Sequence, residues 1–395
     1  MIQKIRSIKN INLQGKKVLL RVDFNVPINE NGIVVDDLRI ISVLPTIKYL
    51  IKQKAKVIIA SHFGRPNGRK CQEMSLKPVF NYLKEDCKLQ IKFSNNCIGD
   101  ATNVLAKQLQ KSEVLLLENL RFYKEEEQND IEFARKLADF ADIYVNDAFA
   151  CSHRNHASID AITKFLPSFG GFALEKELEA LSSVFSNSNA PLTIIIGGKK
   201  VSTKFDIVSS LIDKCEHLVI AGGMANTFLK AKGIEIGSSF YEEKLLQEVK
   251  AFFQLYERKI FLPSDVVCSN TLIKDYCYID DVTQIKKEHS ICDIGTATCI
   301  EICKLLDNSK TILWNGPLGL FENSKFSVSS KFIARHIAKI TNTGKISIAG
   351  GGDVISAIRS SGVEKQFSYI STGGGAFLEL LANKTLPGIN RLAGN

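Results

Sequence analysis

Residues 17–27 read KVLLRVDFNVP and residues 56–66 read KVIIASHFGRP; in both, a short apolar run passes straight into a cluster of Asp, Asn, His, Arg, Gly and Pro. Such a run, with no alternation of polar residues, reads as a strand buried on both faces. The pattern recurs at VLLLE (114–118), IYVND (143–147), LTIII (192–196), HLVIA (217–221), TILWN (311–315) and KISIA (345–349). Segments with helical periodicity lie among them at 36–53, 100–111, 130–141, 203–213, 242–257 and 326–340. Apolar strands alternating with helices build parallel sheets covered on both sides. The expected fold class is therefore α/β: two similar lobes, each a mostly parallel sheet with helices on both faces, with ligands at the C-terminal ends of the strands.

Two lobes are expected because 395 residues exceed what one ordinary hydrophobic core holds. The boundary falls in FGGFALEKELEALSSVFSNSNAPL (169–192), where two glycines open an amphipathic helix with Leu174, Leu178, Leu181 and Phe185 at helical spacing. This gives an N-terminal domain over 1–170, a hinge helix over 171–187 and a second domain from 188.

Composition narrows the function classes. Hydrophobic residues make up 45% and charged residues 24%, as in folded globular domains. No stretch reaches the ~18 unbroken apolar residues of a membrane span. The N-terminus interleaves charges with apolar residues and lacks a small-residue cleavage site, so it is no secretory signal, and a cytoplasmic location is expected. The ten cysteines, spread from Cys71 to Cys303, read as free thiols. Neither Cys299/Cys303 nor Cys151/His153/His156 matches a common zinc spacing. The net charge of +9 comes with no long basic run and no aromatic–basic interleaving, which argues against nucleic acid as a partner and for small acidic substrates.

In the first half, strand ends deliver chemistry repeatedly. Asp23 and Asn25 follow the first strand and Arg39 opens the next helix; His62, Phe63, Gly64 and Arg65 follow the second; Asn119 and Arg121 follow the third; Cys151, His153, Arg154 and His156 follow the fourth. Any one cluster could be an ordinary turn. Four successive strands bringing Arg or His to one sheet edge instead describe an anion pocket, because guanidinium forks bind carboxylate and phosphate in bidentate fashion. Arg21, inside its strand, reads as structural.

In the second half, Gly197-Gly198-Lys199-Lys200-Val201-Ser202-Thr203-Lys204 follows a strand and opens a helix, with Lys200 and Lys204 expected on one helical face. Lysines at a helix N-terminus oppose the dipole unless an anion compensates them, and phosphate would do so. Further glycine turns occur at Gly222-Gly223, at Asn315-Gly316-Pro317 ahead of Glu322, at Gly350-Gly351-Gly352-Asp353 and at Gly373-Gly374-Gly375. Together they describe a nucleotide bed in which backbone N–H groups reach phosphates unobstructed. Asp353 is either a helix cap or a Mg²⁺ ligand. GxxxxGK[ST] and GxGxxG are both absent, which argues against a phosphate-loop ATPase and a Rossmann dehydrogenase.

These segments resemble, in order and across nearly the whole chain, the motifs of the phosphoglycerate kinase family: RVDFNVP (21–27), SHFGRP (61–66), LLENLRF (116–122), NDAFACSHRNHAS (146–158), GGKKVSTKF (197–205), AGGMANTFLK (221–230), LPSDVV (262–267), WNGPLGLFE (314–322), AGGGDV (349–354) and STGGGAFLELL (371–381). The resemblance implies reversible phosphoryl transfer from 1,3-bisphosphoglycerate to ADP, giving 3-phosphoglycerate and ATP, by a monomer. It implies glycerate-phosphate contacts at Asp23, Asn25, Arg39, His62, Phe63, Gly64, Arg65, Arg121 and Arg154 on the first domain. Nucleotide contacts are implied at Gly198, Lys200, Lys204, Gly222, Gly223, Asn315, Pro317, Glu322, Gly351, Gly352, Asp353 and Val354 on a second domain over 188–380, with Mg²⁺ on Asp353. Transfer would rest on Arg39, Lys200, Lys204, Gly374 and Gly375, and the tail 381–395 would return to the first domain. Three positions depart from the family pattern: Leu38 stands before Arg39 in place of a small or polar residue, Lys199 where Ala or Ser is usual, and Val354 where Thr is usual. The last implies one lost hydrogen bond to a nucleotide phosphate, which Val354→Thr would restore.

Overall fold

The computed structural model describes residues 4–184, 189–270 and 277–393. Its contacts separate into two compact units, Met1–Glu179 with Lys384–Asn395, and Ala180–Asn383. The first is built on β1 (Lys17–Val22), β2 (Lys56–Ala60), β3 (Ile91–Phe93), β4 (Val114–Leu116), β5 (Ile143–Asp147) and β6 (Ser168–Gly170). These pair in the order β3-β4-β2-β1-β5-β6, parallel throughout. The runs that look continuously apolar in sequence are continuously buried, because one core lies on each side of the sheet. Val18, Leu20, Val57 and Ile59 face one, with Ile40, Val43 and Ile47 of helix Leu38–Lys52. Leu19, Ile58, Leu115 and Tyr144 face the other, with Phe133 and Leu137 of helix Ile131–Ala138. Each such aliphatic residue contributes about 1.5–3 kcal/mol of transfer free energy.

The second unit repeats the plan with β7 (Leu192–Ile196), β8 (His217–Ile220) and β9 (Ile260–Phe261). It then inserts β10 (Asp265–Ser269), β11 (Tyr278–Asp281) and β12 (Ser290–Ile294), and resumes with β13 (Thr311–Asn315), β14 (Ile346–Gly350) and β15 (Tyr369–Ser371). The main sheet runs β15-β14-β13-β7-β8-β9, all parallel, so its strand order reverses between β7 and β13. The inserted strands form a separate antiparallel sheet, β11-β10-β12, which the sequence pattern did not announce.

The chain's end packs into the first unit: Leu386, Ile389 and Leu392 are buried, Gly388 N donates to Ser152 O at 2.9 Å, and Arg6 N donates to Leu392 O at 2.9 Å. The mid-chain helix runs Phe172–Val184, with Leu174, Leu178 and Leu181 buried; Phe185, expected on the same stripe, lies outside the described residues, as do 186 and 187.

That helix is capped from another element. Asp147, the buried last residue of β5, accepts from Leu174 N at 2.9 Å and also bonds Ala173 N and the Thr46 hydroxyl. Burial raises its pKa from 3.8 to about 7 against the lowering effect of those hydrogen bonds. Its folded value lies above its unfolded one, so the folded state keeps a proton that the unfolded chain has released. Stability should therefore fall as pH rises from about 4 to about 7. Asp147→Asn, which keeps the acceptor and cannot ionise, should flatten this fall, as urea unfolding at about pH 5 and about pH 8 would show; an unchanged slope would assign it to other groups.

Candidate functional site

In the first unit the ends of β1, β2, β4 and β5 converge. Arg39, in the first turn of helix Leu38–Lys52, is held twice: its Nη1 lies 2.8 Å from Asp23 Oδ2 and donates to Asn25 O at 2.9 Å. Asn25 Oδ1 in turn accepts from Gly64 N at 2.9 Å, and Arg121 Nη1 donates to Gly64 O at 2.7 Å. Asn119 braces the same turn, accepting from Phe63 N at 3.0 Å and donating to Phe63 O at 2.6 Å. The turn after β2 is thus pinned from both neighbouring strands. Arg65 is exposed on it, and Arg154 is half-buried with its Nε 3.3 Å from His153 Nε2.

His62 reports the local field. Its pKa is pushed well below 6.5, first by burial and then by the positive charges of Arg21, Arg121, Arg154 and Arg39. It is a neutral imidazole at physiological pH, a hydrogen-bonding group rather than a cation. Arg21 is structural in the sense its strand position suggests: Nε donates to Ser158 Oγ at 2.8 Å, and Ser158 Oγ donates to the buried Glu126 at 2.6 Å. It still adds charge beneath the pocket, a role its place inside β1 did not signal. The His156 pKa is depressed to about 3 by burial and then by Arg21, Arg121, Arg154 and His153, and the ring packs near Glu126.

In the second unit the glycine turns meet where the strand order reverses. Gly197, after β7, runs so close to the turn after β13 that a Cβ would strike the carbonyl of Pro317. Lys204 Nζ spans this point, donating to Gly197 O and to Asn315 Oδ1, each at 2.7 Å. Asn315 Nδ2 donates to Gly350 O at 2.6 Å, tying β13 to the next turn, where Gly351 takes a positive φ of 107° before helix Gly352–Ser360. Beside these turns lies a cavity of ≈ 300 Å³ lined by Gly198, Gly222, Gly223, Pro317, Glu322 and Asp353. Its opposite wall is apolar, from Leu229, Phe240, Val266, Ile291 and Leu320. Sequence reading missed that wall, whose residues are scattered over a helix, a loop and the antiparallel sheet; Leu229, Val266 and Leu320 lie in the segments AGGMANTFLK, LPSDVV and WNGPLGLFE, but nothing in those segments marks them as a wall.

Two expectations change. Helix Phe205–Leu211 begins after Lys204, so Lys200 and Lys204 share no helical face: Ser202 donates to Glu242 and holds the intervening turn open. Neither Lys200, which is exposed, nor Lys204, which is mostly buried, is among the residues lining the cavity. The Val354 side chain is fully buried in the hydrophobic core with Ile195, Trp314 and Ile358, leaving its backbone N–H as the group that a ligand could use. Gly374 and Gly375 are not brought to the cavity lining; their helix, Gly375–Leu381, packs on Phe205–Leu211. Lys199 reaches over Phe240, 5.4 Å from the ring centroid.

One lobe gathers guanidinium groups at its strand ends, and the other gathers glycine turns around a buried lysine; together they define an α/β enzyme acting on phosphorylated anions. The model of the family described as phosphoglycerate kinase matches residues 8–384. Curated relatives include the phosphoglycerate kinases of Prochlorococcus marinus strain MIT 9312, 45% identical with 98% of each chain covered, and Orientia tsutsugamushi strain Ikeda, 46% identical with 99% of this chain and 98% of the relative covered. Among solved structures, phosphoglycerate kinase from Coxiella burnetii superposes with a TM-score of 0.87 at 38% identity, covering 98% of this chain and 99% of its own. The chain belongs to the phosphoglycerate kinase family. It is a phosphotransferase of that specificity, working on small-molecule substrates.

Two outcomes follow from the second unit. Burial lowers the Lys204 pKa from 10.5 to about 8, with Asp353 opposing the shift. The free enzyme therefore loses this charge above about pH 8, and kcat/KM for the nucleotide should fall there; Lys204→Arg should move the fall to higher pH, and an unmoved fall would clear Lys204. For Val354→Thr, the structure reverses the expectation of tighter ADP binding: a hydroxyl placed in that core should destabilise the protein by about 1–3 kcal/mol and leave ADP affinity unchanged. Thermal melts and calorimetry with MgADP measure both; tighter binding would restore the original expectation.

Proposed function

We propose that the first unit binds 3-phosphoglycerate or 1,3-bisphosphoglycerate through Arg39, Arg65, Arg121 and Arg154. Asp23, Asn25 and the turn from His62 to Gly64 orient the group. The observation that carries this reading is the convergence of Arg39, Arg121 and Arg154 on His62, whose pKa is pushed down by burial and by these charges together with that of Arg21 beneath. Such a cluster is costly to assemble without an anion and is matched by phosphate and carboxylate. ADP or ATP would lie in the second unit's cavity, its phosphates toward Gly198, Lys204 and the turn Gly351–Asp353, its base against the apolar wall.

Transfer between an acyl phosphate and a nucleotide oxygen needs no protein base, because both attacking oxygens are already ionised. The chain's task is to position the reactants, screen the charge that develops on the phosphoryl group and exclude water. Arg39, fixed by Asp23 and Asn25, and Lys204, fixed by Gly197 and Asn315, are preorganised for that screening. Lys200 adds charge from the same loop, and the N–H groups of Gly374 and Gly375 are offered to the transferred group. The carboxylates of Asp353 and Glu322 give hard oxygen donors at the cavity, which suits Mg²⁺. Bound with the nucleotide, that ion neutralises phosphate charge, and Asp353 would hold it. Each reactant thus has its site on its own unit, so bending about residues 171–187 would complete the transfer centre, in a monomer acting in the cytoplasm.

Arg39→Ala tests the central claim. Its kcat in a coupled assay with 3-phosphoglycerate and ATP should fall by roughly two or more powers of ten, with KM for either substrate changing much less. A near-normal kcat would remove Arg39 from the transfer step.

A further inference from the structure

The inserted antiparallel sheet carries a polar group that phosphoryl transfer does not use. Cys268 on β10 pairs with Tyr278 on β11 and with Ile291 on β12. Asp280 is two residues beyond Tyr278 and His289 two before Ile291, so the alternation of side chains puts Cys268, Asp280 and His289 on one face. There one ligand atom from each lies within 4.8 Å of the other two. His289 Nδ1 is 2.9 Å from Asp280 Oδ2, and the Cys268 thiol is also hydrogen-bonded to Asp280. The Tyr278 ring stacks on the imidazole, centroids 4.6 Å apart and planes 15° from parallel, fixing its orientation. Cys268 and His289 are buried and Asp280 is half-buried. Packing alone does not call for a thiol, a carboxylate and an imidazole gathered from three neighbouring strand segments on one face of a sheet.

We propose that Cys268, Asp280 and His289 form a binding site for Zn²⁺ or a divalent transition ion of similar softness. A sulfur, a nitrogen and an oxygen donor on three strands are the ligand types that zinc takes, and they discriminate against Mg²⁺, which demands oxygen. Tetrahedral ligands at about 2.0–2.3 Å from an ion stand roughly 3.5 Å apart, so a side-chain movement of about 1 Å closes the site, with the fourth position left to water. On binding, the thiol gives up its proton to solvent and becomes the thiolate ligand. The imidazole presents its Nδ1 lone pair and Asp280 a carboxylate oxygen. One proton is released per ion. The ion would staple β11 and the start of β12 to β10, the sheet whose Val266 and Ile291 wall the nucleotide cavity.

Titration of the metal-free full chain with Co²⁺ alone tests this. One equivalent should produce thiolate-to-cobalt absorption in the near ultraviolet, displaced by Zn²⁺ and not by Mg²⁺, with one proton released. The melting temperature should rise by roughly 5 °C or more at a hundredfold excess over Kd. Cys268→Ser should abolish the absorption, and Asp280→Asn should weaken Co²⁺ binding at least tenfold. The Asn variant keeps an acceptor at a half-buried position and remains informative if the Ser variant does not fold, while Cys71→Ser should change nothing. Absence of the absorption in the unmodified protein, or its persistence with full stoichiometry in either ligand variant, would overturn the proposal and leave a hydrogen-bonded triad only.

Discussion

Positive charges held close together before any anion arrives set the terms for the first unit. Two like charges about 4 Å apart repel by roughly 4 kcal/mol at an effective dielectric constant of 20. Arg21, Arg39, Arg121 and Arg154 all act on the same buried imidazole. The unit tolerates this because carboxylates are threaded between the cations: Asp23 on Arg39, Glu127 3.3 Å from Arg121 Nε, and Glu126 reaching Arg21 through Ser158. Backbone carbonyls take further guanidinium N–H groups, Asn25 O from Arg39 and Gly64 O from Arg121. Neutrality is approached without closing the pocket. A neutral His62 follows from its burial and from the same arrangement, since the nearest carboxylate, Asp23 with Oδ1 3.8 Å from Nδ1, already pairs with Arg39.

The second unit solves a related problem with less charge. Its polar surface is mostly backbone, brought together by turns in which glycine permits main chain to lie against main chain, as at Gly197 beside Pro317. The deeply placed ammonium of Lys204 is bound by two neutral oxygens rather than by a carboxylate. Burial therefore acts on it almost unopposed, and its charge is conditional where those of the arginines are permanent.

How far the sequence could be read follows from which forces are local. The central strands were legible because a strand covered on both faces must be apolar at every position, and no other element of six residues looks that way. Helices between them were legible through their stripes, with ends misplaced by two or three residues, as where 203–213 became Phe205–Leu211. The antiparallel sheet was not, because its strands are half-exposed: β11 is YIDD with Asp280 and Asp281 inside it, a pattern no different from a loop. Of the expected ligand residues, those at the ends of central strands are brought together by the topology itself. Lys200 and Val354 diverge because single-residue orientation near a helix start depends on tertiary contacts, with Glu242 in one case and the core around Trp314 in the other. Apolar cavity walls leave no trace in residue pattern, since a Leu or Phe facing a ligand reads like one facing the core.

The conditional charge of Lys204 has a consequence for how a ligand and the fold act on one another. An anion near Nζ favours the ammonium over the amine, so its binding raises the lysine's pKa above the free value of about 8. By linkage, whatever raises that pKa is itself bound more tightly when the proton is present. The anion must also compete with Asn315 Oδ1 and Gly197 O, which already accept from Nζ, and Asn315 is tied through its amide to the carbonyl of Gly350. A phosphate drawing Nζ toward itself therefore loosens one end of the hydrogen bonds that join the ends of β7, β13 and β14. The three glycine turns that would contact that phosphate would thereby be coupled through one lysine, linking its protonation to anion binding and to local backbone order in this lobe.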